Sequence, residues 1–317
     1  MQGQVATVFG ASGFIGKSIV RELAARGVRV NAVCRDAEHA KFLKPMGAVG
    51  QVTPMRADVT DPAAVARTVA GADMVVNLVG ILYQSGRNTF DAVQATAPGT
   101  IAKAAAAAGA RAMVHVSAIG ADAGSRSAYA RSKAAGEAAV RAAFPAATIL
   151  RPSIVYGPDD SFFNRFAAMA QVMPVLPLVG GGTTRFQPVY VDDVADAAMA
   201  AFDRPEAAGA DYELGGPSVY TFRQLLELML VEIRRKRLLV PMPFWLASLQ
   251  GALLELLPVP PLTRDQVELL KTDNVVAPGA RTLADLGVEA TPLEIVLPTY
   301  LDKFRVGGRY AGGRVHA

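Results

Sequence analysis

The most constraining feature of this sequence is a glycine-punctuated junction near its start. The apolar run Val5–Phe9 leads directly into Gly10-Ala11-Ser12-Gly13-Phe14-Ile15-Gly16, and a long amphipathic stretch follows. This order predicts a strand, a tight turn and the beginning of a helix. Such a turn lets backbone amides approach a pyrophosphate at the positive end of the helix dipole. The glycine spacing differs from the common G-x-G-x-x-G version, so the position between strand and helix carries the prediction of a dinucleotide site.

The first half of the chain alternates apolar runs with alanine-rich helical stretches, which is the pattern of right-handed βαβ units. The predicted strands are Val5–Phe9, Arg29–Cys34, Val52–Ala57, Met74–Val79, Ala112–Ser117 and Thr148–Arg151. The predicted helices are Gly13–Arg26, Pro62–Ala70, Asp91–Ala108 and Ser127–Ala143. The sequence therefore predicts an α/β fold, a Rossmann-type doubly wound parallel sheet with a smaller C-terminal lobe.

The composition changes at about Tyr156, after which prolines and loops become more frequent. We expect a dinucleotide-binding domain over residues 1–155, which segments around 185–215 rejoin. The smaller lobe is expected over 156–306, where it serves substrate binding or docking. The Gly- and Arg-rich residues 307–317 are predicted to form a flexible tail.

Charge and cysteine content limit the function classes. The 317 residues carry a formal net charge of +4, which suits an anionic cofactor or surface and does not indicate nucleic acid. The single Cys34 excludes an internal disulfide, and three scattered histidines give no sign of a metal site. No apolar run is long enough for a membrane span, and the early first strand leaves no room for a presequence. Abundant Ala and a preference for Arg over Lys are typical of a GC-rich bacterial genome, and we expect a cytoplasmic protein.

The end of the second predicted strand decides the cofactor. An acidic residue there favours NAD, whereas an arginine accommodates the 2′-phosphate of NADP. The strand ends without an acid and Arg35 follows, so NADP(H) is favoured over NAD(H), although Arg35 as a solvated loop residue is the alternative. After the third strand, Asp58 and Val59 are expected at the adenine. After the fourth, Asn77, Val79 and Gly80 are expected to run past the adenosine and pyrophosphate.

Tyr129 and Lys133 are four residues apart on a predicted helix and therefore share one face of it. Because this helix follows the fifth strand, we expect both side chains to face the cofactor.

Several motifs together resemble the extended and atypical short-chain dehydrogenases/reductases. They are the Gly10–Gly16 turn, Asp58, Tyr129-Ala130-Arg131-Ser132-Lys133, Arg151-Pro152 through Gly157-Pro158, and Tyr190-Val191-Asp192-Asp193-Val194. Within that superfamily the chain is most similar to the NAD(P)H-binding accessory subunit of respiratory complex I, of the alpha-subcomplex subunit nine type, and its bacterial relatives. The stretch from Pro261 to Leu270 and on through Val276 is the least generic part of this match.

The resemblance implies roles for particular residues. In active relatives the lysine of such a pair, here Lys133, holds the nicotinamide ribose and lowers the pKa of the tyrosine, here Tyr129, which exchanges a proton during hydride transfer. Such relatives also place a Ser or Thr just past the fifth strand. Ser117 is the candidate, but it is one position early, and Ala118 occupies the expected place. Because side chains alternate between the two faces of a strand, Ser117 points away from the nicotinamide unless the strand has already ended. Pro152 is implied at the nicotinamide, and the loop Asp159–Phe163 at the substrate cleft.

Capping signals occur in the second half of the chain. Asp192 or Asp193 is expected to cap a helix rather than to act in catalysis. Thr263 with Gln266 forms a predicted capping box, and Thr291-Pro292 with Glu294 begins another helix.

Residues 234–257 combine a basic cluster, Arg234-Arg235-Lys236-Arg237, with an apolar stretch that contains Trp245. This pattern is typical of an interfacial helix on anionic lipid or on a partner subunit. The alternative is a strand and a helix that pack on their own lobe with the basic residues solvated.

The first hypothesis for function is therefore an NADP(H)-binding accessory protein of the NADH:quinone oxidoreductase. The resemblance implies a peripheral position near the quinone-access side, on the cytoplasmic face of the inner membrane, without a part in electron transfer. A bacterial relative could instead act in quinone biosynthesis or assembly. The second hypothesis is an active reductase, dehydrogenase or epimerase that uses Tyr129 and Lys133. The third is a nucleotide-sensing regulator without chemistry.

Overall fold

The computed structural model describes residues 3–308. The strands are β1 (Val5–Phe9), β2 (Arg29–Cys34), β3 (Val52–Arg56), β4 (Met74–Asn77), β5 (Ala112–Val116), β6 (Thr148–Pro152), β7 (Val155–Tyr156), β8 (Val175–Val179), β9 (Arg185–Phe186), β10 (Val189–Tyr190), β11 (Asp211–Leu214), β12 (Tyr220–Thr221) and β13 (Leu238–Met242). The α-helices are α1 (Phe14–Ala25), α2 (Pro62–Val69), α3 (Ala97–Ala107), α4 (Ala128–Ala143), α5 (Phe163–Val172), α6 (Val191–Asp203), α7 (Phe222–Glu232), α8 (Phe244–Leu254), α9 (Arg264–Leu269) and α10 (Leu293–Leu301).

The chain divides into two compact units. The first contains the chain up to Pro152 together with Val191–Leu214 and Ala277–Glu289, and the second contains Ser153–Tyr190, Gly215–Val276 and the chain from Ala290 onward. Ala277–Glu289 belongs to the first unit because it bonds to β11, where the Ala277 amide donates to Glu213 at 2.7 Å. The predicted tail, 307–317, lies outside the described residues from position 309 onward.

The first unit is built on a seven-stranded sheet in the order β11-β6-β5-β4-β1-β2-β3. Every neighbouring pair in this sheet is parallel. One face is covered by α2, α3 and α4, whose core includes Phe9, Val75 and Met113. Helices α1 and α6 contact each other and the remaining side of the sheet. This arrangement confirms the predicted Rossmann-type α/β fold.

The strand predicted as Met74–Val79 ends at Asn77 for a local reason. The Asn77 side-chain Oδ1 accepts a hydrogen bond from the Val79 amide at 3.1 Å. This bond removes the Val79 amide from the sheet and turns the chain. The turn places the following glycine, Gly80, in an exposed position at the edge of the sheet.

The helix predicted as Asp91–Ala108 consists of two parts, a π-helical segment over Asp91–Thr96 and then α3.

A second difference from the predicted elements concerns Asp192. It lies inside the first turn of α6 rather than at its cap, and its carboxylate accepts hydrogen bonds from Ser18 and Arg21. The expectation that it caps the helix is therefore wrong for Asp192.

The second unit has a core in which aromatic side chains from α5 and α7 meet residues of α10; among them are Phe163, Phe222, Leu226 and Leu297. Three two-stranded sheets surround it: β7–β10, β9–β12 and β8–β13. The predicted capping box is confirmed, because Thr263 and Gln266 exchange hydrogen bonds with each other's backbone at the start of α9. A second box, Thr221 with Gln224, begins α7.

Candidate functional site

The glycine turn lies between β1 and α1 and has the geometry of an anion cradle. Gly10 has a φ of +81°, which a residue with a side chain rarely adopts. A Cβ on Gly16 would lie 2.3 Å from the Gly10 carbonyl oxygen, so only glycine fits there. The N-cap residue of α1 is Gly13, which has no side chain to cap the helix, and the first amides of α1 are therefore available to a ligand. Ser12, Phe14 and Ile15 complete this turn.

A second corner of the site forms where β2 and β3 end. Asp58 accepts hydrogen bonds from the hydroxyl and amide of Thr60, at 2.7 and 2.9 Å, and these bonds lower the pKa of its carboxyl. The guanidinium groups of Arg87 and Arg35 lower it further, so both cations lie near this carboxylate. Arg35 is exposed. Sequence reasoning missed Arg87, because the loop after β4 carries no motif that marks it.

Val59 and Val79 belong to the wall of the site. Both are partly buried and pack against the core between the sheet and helices α2, α3 and α4. Asn77 is fully buried, and its carboxamide is already engaged by the Val79 amide and by Nδ1 of His115 at 3.2 Å. Burial lowers the pKa of His115 to about 3, so the ring is neutral at physiological pH.

Lys133 lies almost completely buried between α4 and the end of β5. Its Nζ donates to the carbonyl of Val116 at 3.3 Å, and a Cβ on Gly80 would lie 3.4 Å from the same Nζ. Burial lowers the pKa of this ammonium to about 8, and Glu137, one turn further along α4, counteracts part of the effect. The amine thus faces Gly80 at the same edge as the glycine turn.

The structure brings Tyr129 and Lys133 together as the spacing predicts. The Lys133 Nζ lies 6.0 Å from the centroid of the Tyr129 ring, and the edge of Phe90 contacts the same ring at a centroid distance of 6.0 Å. The Tyr129 side chain is half-buried. An ammonium beside a tyrosine that solvent can reach is an arrangement capable of proton exchange with a bound carbonyl.

Ser117 follows β5 directly, since the strand ends at Val116. Its amide donates to the carbonyl of Leu150 at 2.7 Å. Its hydroxyl is buried and has no hydrogen-bond partner within residues 3–308. The condition under which Ser117 could face the site, an ended strand, is therefore met, and an unsatisfied buried hydroxyl is a polar group that a ligand can satisfy.

Gln94, on the π-helical segment, is a functional candidate that the sequence analysis did not identify. Its Oε1 accepts from the Ile81 amide at 2.6 Å, and its Nε2 donates to the Ser132 hydroxyl at 2.9 Å. Ser132 in turn donates to the carbonyl of Tyr129. Gln94 thus links the loop after β4 to the helix that carries the Tyr–Lys pair. The π-helical turn, a feature frequent at functional sites, is visible only in the structure, because sequence periodicity does not reveal it.

A partly buried ion pair links α4 to β6. Arg151 donates to both carboxylate oxygens of Glu137, at 2.9 and 2.6 Å, and to Asp211 at 3.1 Å. Bidentate geometry of this kind fixes orientation as well as charge. Arg151 therefore orients the Glu137 carboxylate, which raises the pKa of Lys133 one turn away on α4.

Pro152 ends β6, and its carbonyl accepts from the Ile119 amide at 3.0 Å. The residues predicted for the nucleotide therefore all lie in the first unit, at the carboxyl ends of its parallel strands.

In the second unit, Asp160 and Phe163, from the loop predicted at the substrate cleft, are buried. The Asp160 carboxylate accepts from the Phe163 amide and from the Tyr300 hydroxyl, so the expectation that these two residues line a cleft is wrong.

Residues 6–215 match the model of the NAD dependent epimerase/dehydratase family. The chain belongs to this family. It is 38% identical, over 99% of its length and 81% of the relative's, to an Arabidopsis thaliana protein named NADH dehydrogenase [ubiquinone] 1 alpha subcomplex subunit 9, mitochondrial. This similarity confirms the predicted resemblance to the accessory subunit.

A second relative and a solved structure widen the comparison. A Caulobacter vibrioides protein named ceramide reductase is 36% identical over 65% of this chain and 62% of its own length. The fold matches MoeE5 in complex with UDP-glucuronic acid and NAD, with a TM-score of 0.71 and 20% identity, over 94% of this chain and 98% of that one. At this identity the structural match supports the fold alone.

Proposed function

We propose that this family member is an NADP(H)-binding accessory protein that docks peripherally on the respiratory NADH:quinone oxidoreductase. The observation that carries the proposal is the similarity, over nearly the whole chain, to a protein named as a subunit of NADH dehydrogenase [ubiquinone]. The nucleotide orders the fold and couples docking to its occupancy, because a ligand that binds only the native state stabilises that state.

The residues present fit a phosphorylated dinucleotide. The uncapped start of α1 and the close approach at Gly16 suit the pyrophosphate, and Lys133 beside Gly80 suits the nicotinamide ribose. Arg35 follows β2, where an arginine accommodates the 2′-phosphate of NADP(H), and both Arg35 and Arg87 lower the pKa of the Asp58 carboxyl. This pair of cations supports NADP(H) over NAD(H).

Exposed apolar side chains on helix α8 support a membrane contact, which we propose lies on the cytoplasmic face of the inner membrane. Trp245, Leu249 and Leu253 on α8 and Leu256 just beyond its end, which together we term the apolar face, are 69%, 56%, 64% and 83% exposed. Ala247 and Gly251 form the buried side. No helix of residues 3–308 has the length and apolarity needed to cross a bilayer. We propose that α8 lies on the membrane surface with the apolar face toward the lipid.

A native pull-down of the tagged protein from its own cells tests the main proposal. We expect subunits of the oxidoreductase to copurify, and denaturation to release NADP(H). Gly13→Glu serves as the control, because a carboxylate at the uncapped start of α1 repels the pyrophosphate. Recovery of no oxidoreductase subunit from gently solubilised membranes would contradict the proposal.

A second candidate function is a reductase, and the Tyr129–Lys133 geometry favours it. In that case the bound nicotinamide supplies or accepts hydride, Lys133 holds the ribose, and Tyr129 gives or takes the proton. Ser117 is available to orient the carbonyl. Oxidation of NADPH by wild type with carbonyl substrates, lost in Tyr129→Phe while nucleotide binding persists, would establish turnover and reject the binding-only proposal.

A further inference from the structure

A groove of about 410 Å³ lies beside α7 and β13 in the second unit. Leu230 and Leu239 contribute apolar surface, and Arg223, Lys236 and Arg237 contribute charge. Glu227 is the carboxylate among the lining residues, and it lies 3.8 Å from Arg223. The groove is therefore both apolar and positively charged.

Three of the cations that line the groove, Arg235, Lys236 and Arg237, belong to the run Arg234–Arg237, which we term the basic turn. Within the part of the chain that the structure describes, none of its four cations forms an ion pair. Arg235 Nε donates to the Phe304 carbonyl at 3.2 Å, and Arg237 Nε donates to the Ala170 carbonyl at 2.8 Å. These bonds order the two guanidinium groups and leave their charge unbalanced.

The backbone of the basic turn is also unusual. Among residues 3–308, Arg234 is the one non-glycine residue with a positive φ, at +53°. The Arg235 amide bonds to the Leu230 carbonyl and the Arg234 amide to the Val231 carbonyl, both at 3.0 Å. This pair of bonds ends a helix with a residue in the left-handed conformation, where glycine is usual. An arginine here carries a conformational cost that glycine avoids.

We propose that the basic turn and its groove bind the phosphate groups of anionic phospholipids, and this inference rests on the membrane contact proposed above. Four adjacent cations repel one another, and phosphate oxygens relieve that repulsion. A bilayer surface presents anionic phosphates next to apolar chains, and the same unit exposes the apolar face of α8. Leu238 and Val240, 69% and 46% exposed, add apolar surface on β13, the strand that connects the basic turn to α8 along the chain. Charge complementarity thus favours lipid headgroups as the occupant.

Vesicle cosedimentation of the full chain tests this inference. The probes are vesicles of phosphatidylcholine alone and of phosphatidylcholine mixed with phosphatidylglycerol. We expect Arg234→Gly and Lys236→Gln each to bind the mixed vesicles about fivefold more weakly than wild type, which is the effect of one surface cation. Lys103→Gln removes an exposed charge from α3 in the first unit and should bind like wild type. Arg234→Gly should melt no lower than wild type, because it relieves the left-handed strain.

The outcomes separate this inference from the membrane contact itself. If wild type binds both vesicle types equally, and Trp245→Ala weakens both, the apolar contact stands and the phosphate site is overturned. The phosphate site is also overturned if Arg234→Gly and Lys236→Gln bind mixed vesicles as wild type does. Binding to neither vesicle type, together with retention on immobilised polyglutamate, would overturn both and point to an acidic protein segment.

Discussion

At the scale of single residues, Lys133 shows how burial sets chemistry. Its ammonium is enclosed between α4 and the Val116 carbonyl, and burial lowers its pKa to about 8. The group therefore changes charge close to physiological pH rather than far above it. Arg35, in contrast to Lys133, is an exposed cation, and its role depends on which ligand binds beside it.

The low pKa of Lys133 predicts a pH-dependent affinity for nucleotide. Below pH 8 the ammonium is charged and attracts the anionic ligand, whereas above pH 8 the amine is neutral. We expect the dissociation constant for NADPH to rise as the pH increases through about 8. Isothermal titration on both sides of this pH measures it. Lys133→Met should bind more weakly and lack the step, and an identical step in this variant would assign the titration to another group.

Arg35 predicts the choice of cofactor. Arg35→Ala removes the cation that we propose contacts the 2′-phosphate, and it should weaken NADPH binding at least about tenfold. Binding of NADH should change little, because NADH has no phosphate at that position. Isothermal titration of both nucleotides measures the difference, with Arg67→Ala, an exposed arginine on α2, as the matched control. Wild type that binds NADH as tightly as NADPH would contradict the assignment.

At the scale of elements, the π-helical segment determines how α3 meets α4. A Cβ on Gly136 would lie 2.1 Å from the Gln94 carbonyl oxygen. The wide π-helical turn therefore fits against α4 only because α4 has a glycine at this position. Gln94 then reaches both Ile81 and Ser132. One local irregularity thus connects the loop after β4 with the helix of the Tyr–Lys pair.

Gly136→Ala tests this packing. The added Cβ would clash with a backbone carbonyl, which cannot rotate away as a side chain can, so relief requires a shift of α4 and should cost about 1–3 kcal/mol of unfolding free energy. We also expect weaker nucleotide binding, since the shift moves Lys133. Chemical denaturation and titration measure the two effects. Ala138→Leu, which adds volume at an exposed position of the same helix, should leave both unchanged. Equal stability of Gly136→Ala and wild type would show that the helices separate freely.

At the scale of the whole molecule, bound nucleotide should be a source of stability. A ligand at a hundredfold excess over its dissociation constant stabilises the native state by about 2.7 kcal/mol. We expect NADPH to raise the melting temperature of wild type and to leave Gly13→Glu unchanged. Calorimetry with and without nucleotide measures the shift. The melting temperature of the variant without nucleotide controls for folding, and an equal shift in both proteins would place the nucleotide elsewhere.

Much of the fold follows from sequence pattern because it depends on short-range order. Apolar runs of five or six residues separated by alanine-rich stretches specify a parallel sheet, and β1, β2 and the turn at Gly10–Gly16 lie as predicted. The Tyr129–Lys133 pair follows from helical spacing alone. The expected ends of β4 and β5 differ by one or two residues, since side-chain bonds such as that of Asn77 are invisible to periodicity.

The sequence by itself determined the α/β class, the glycine turn and the helix face that carries Tyr129 and Lys133, because each depends on residues close together in the chain. Tertiary structure alone decided that Gln94 bonds to Ile81 and Ser132, that Arg87 lies near Asp58, and that Arg151 restrains Glu137. These contacts join residues from separate elements, and burial, which sets the pKa of Lys133, exists only once those elements have packed.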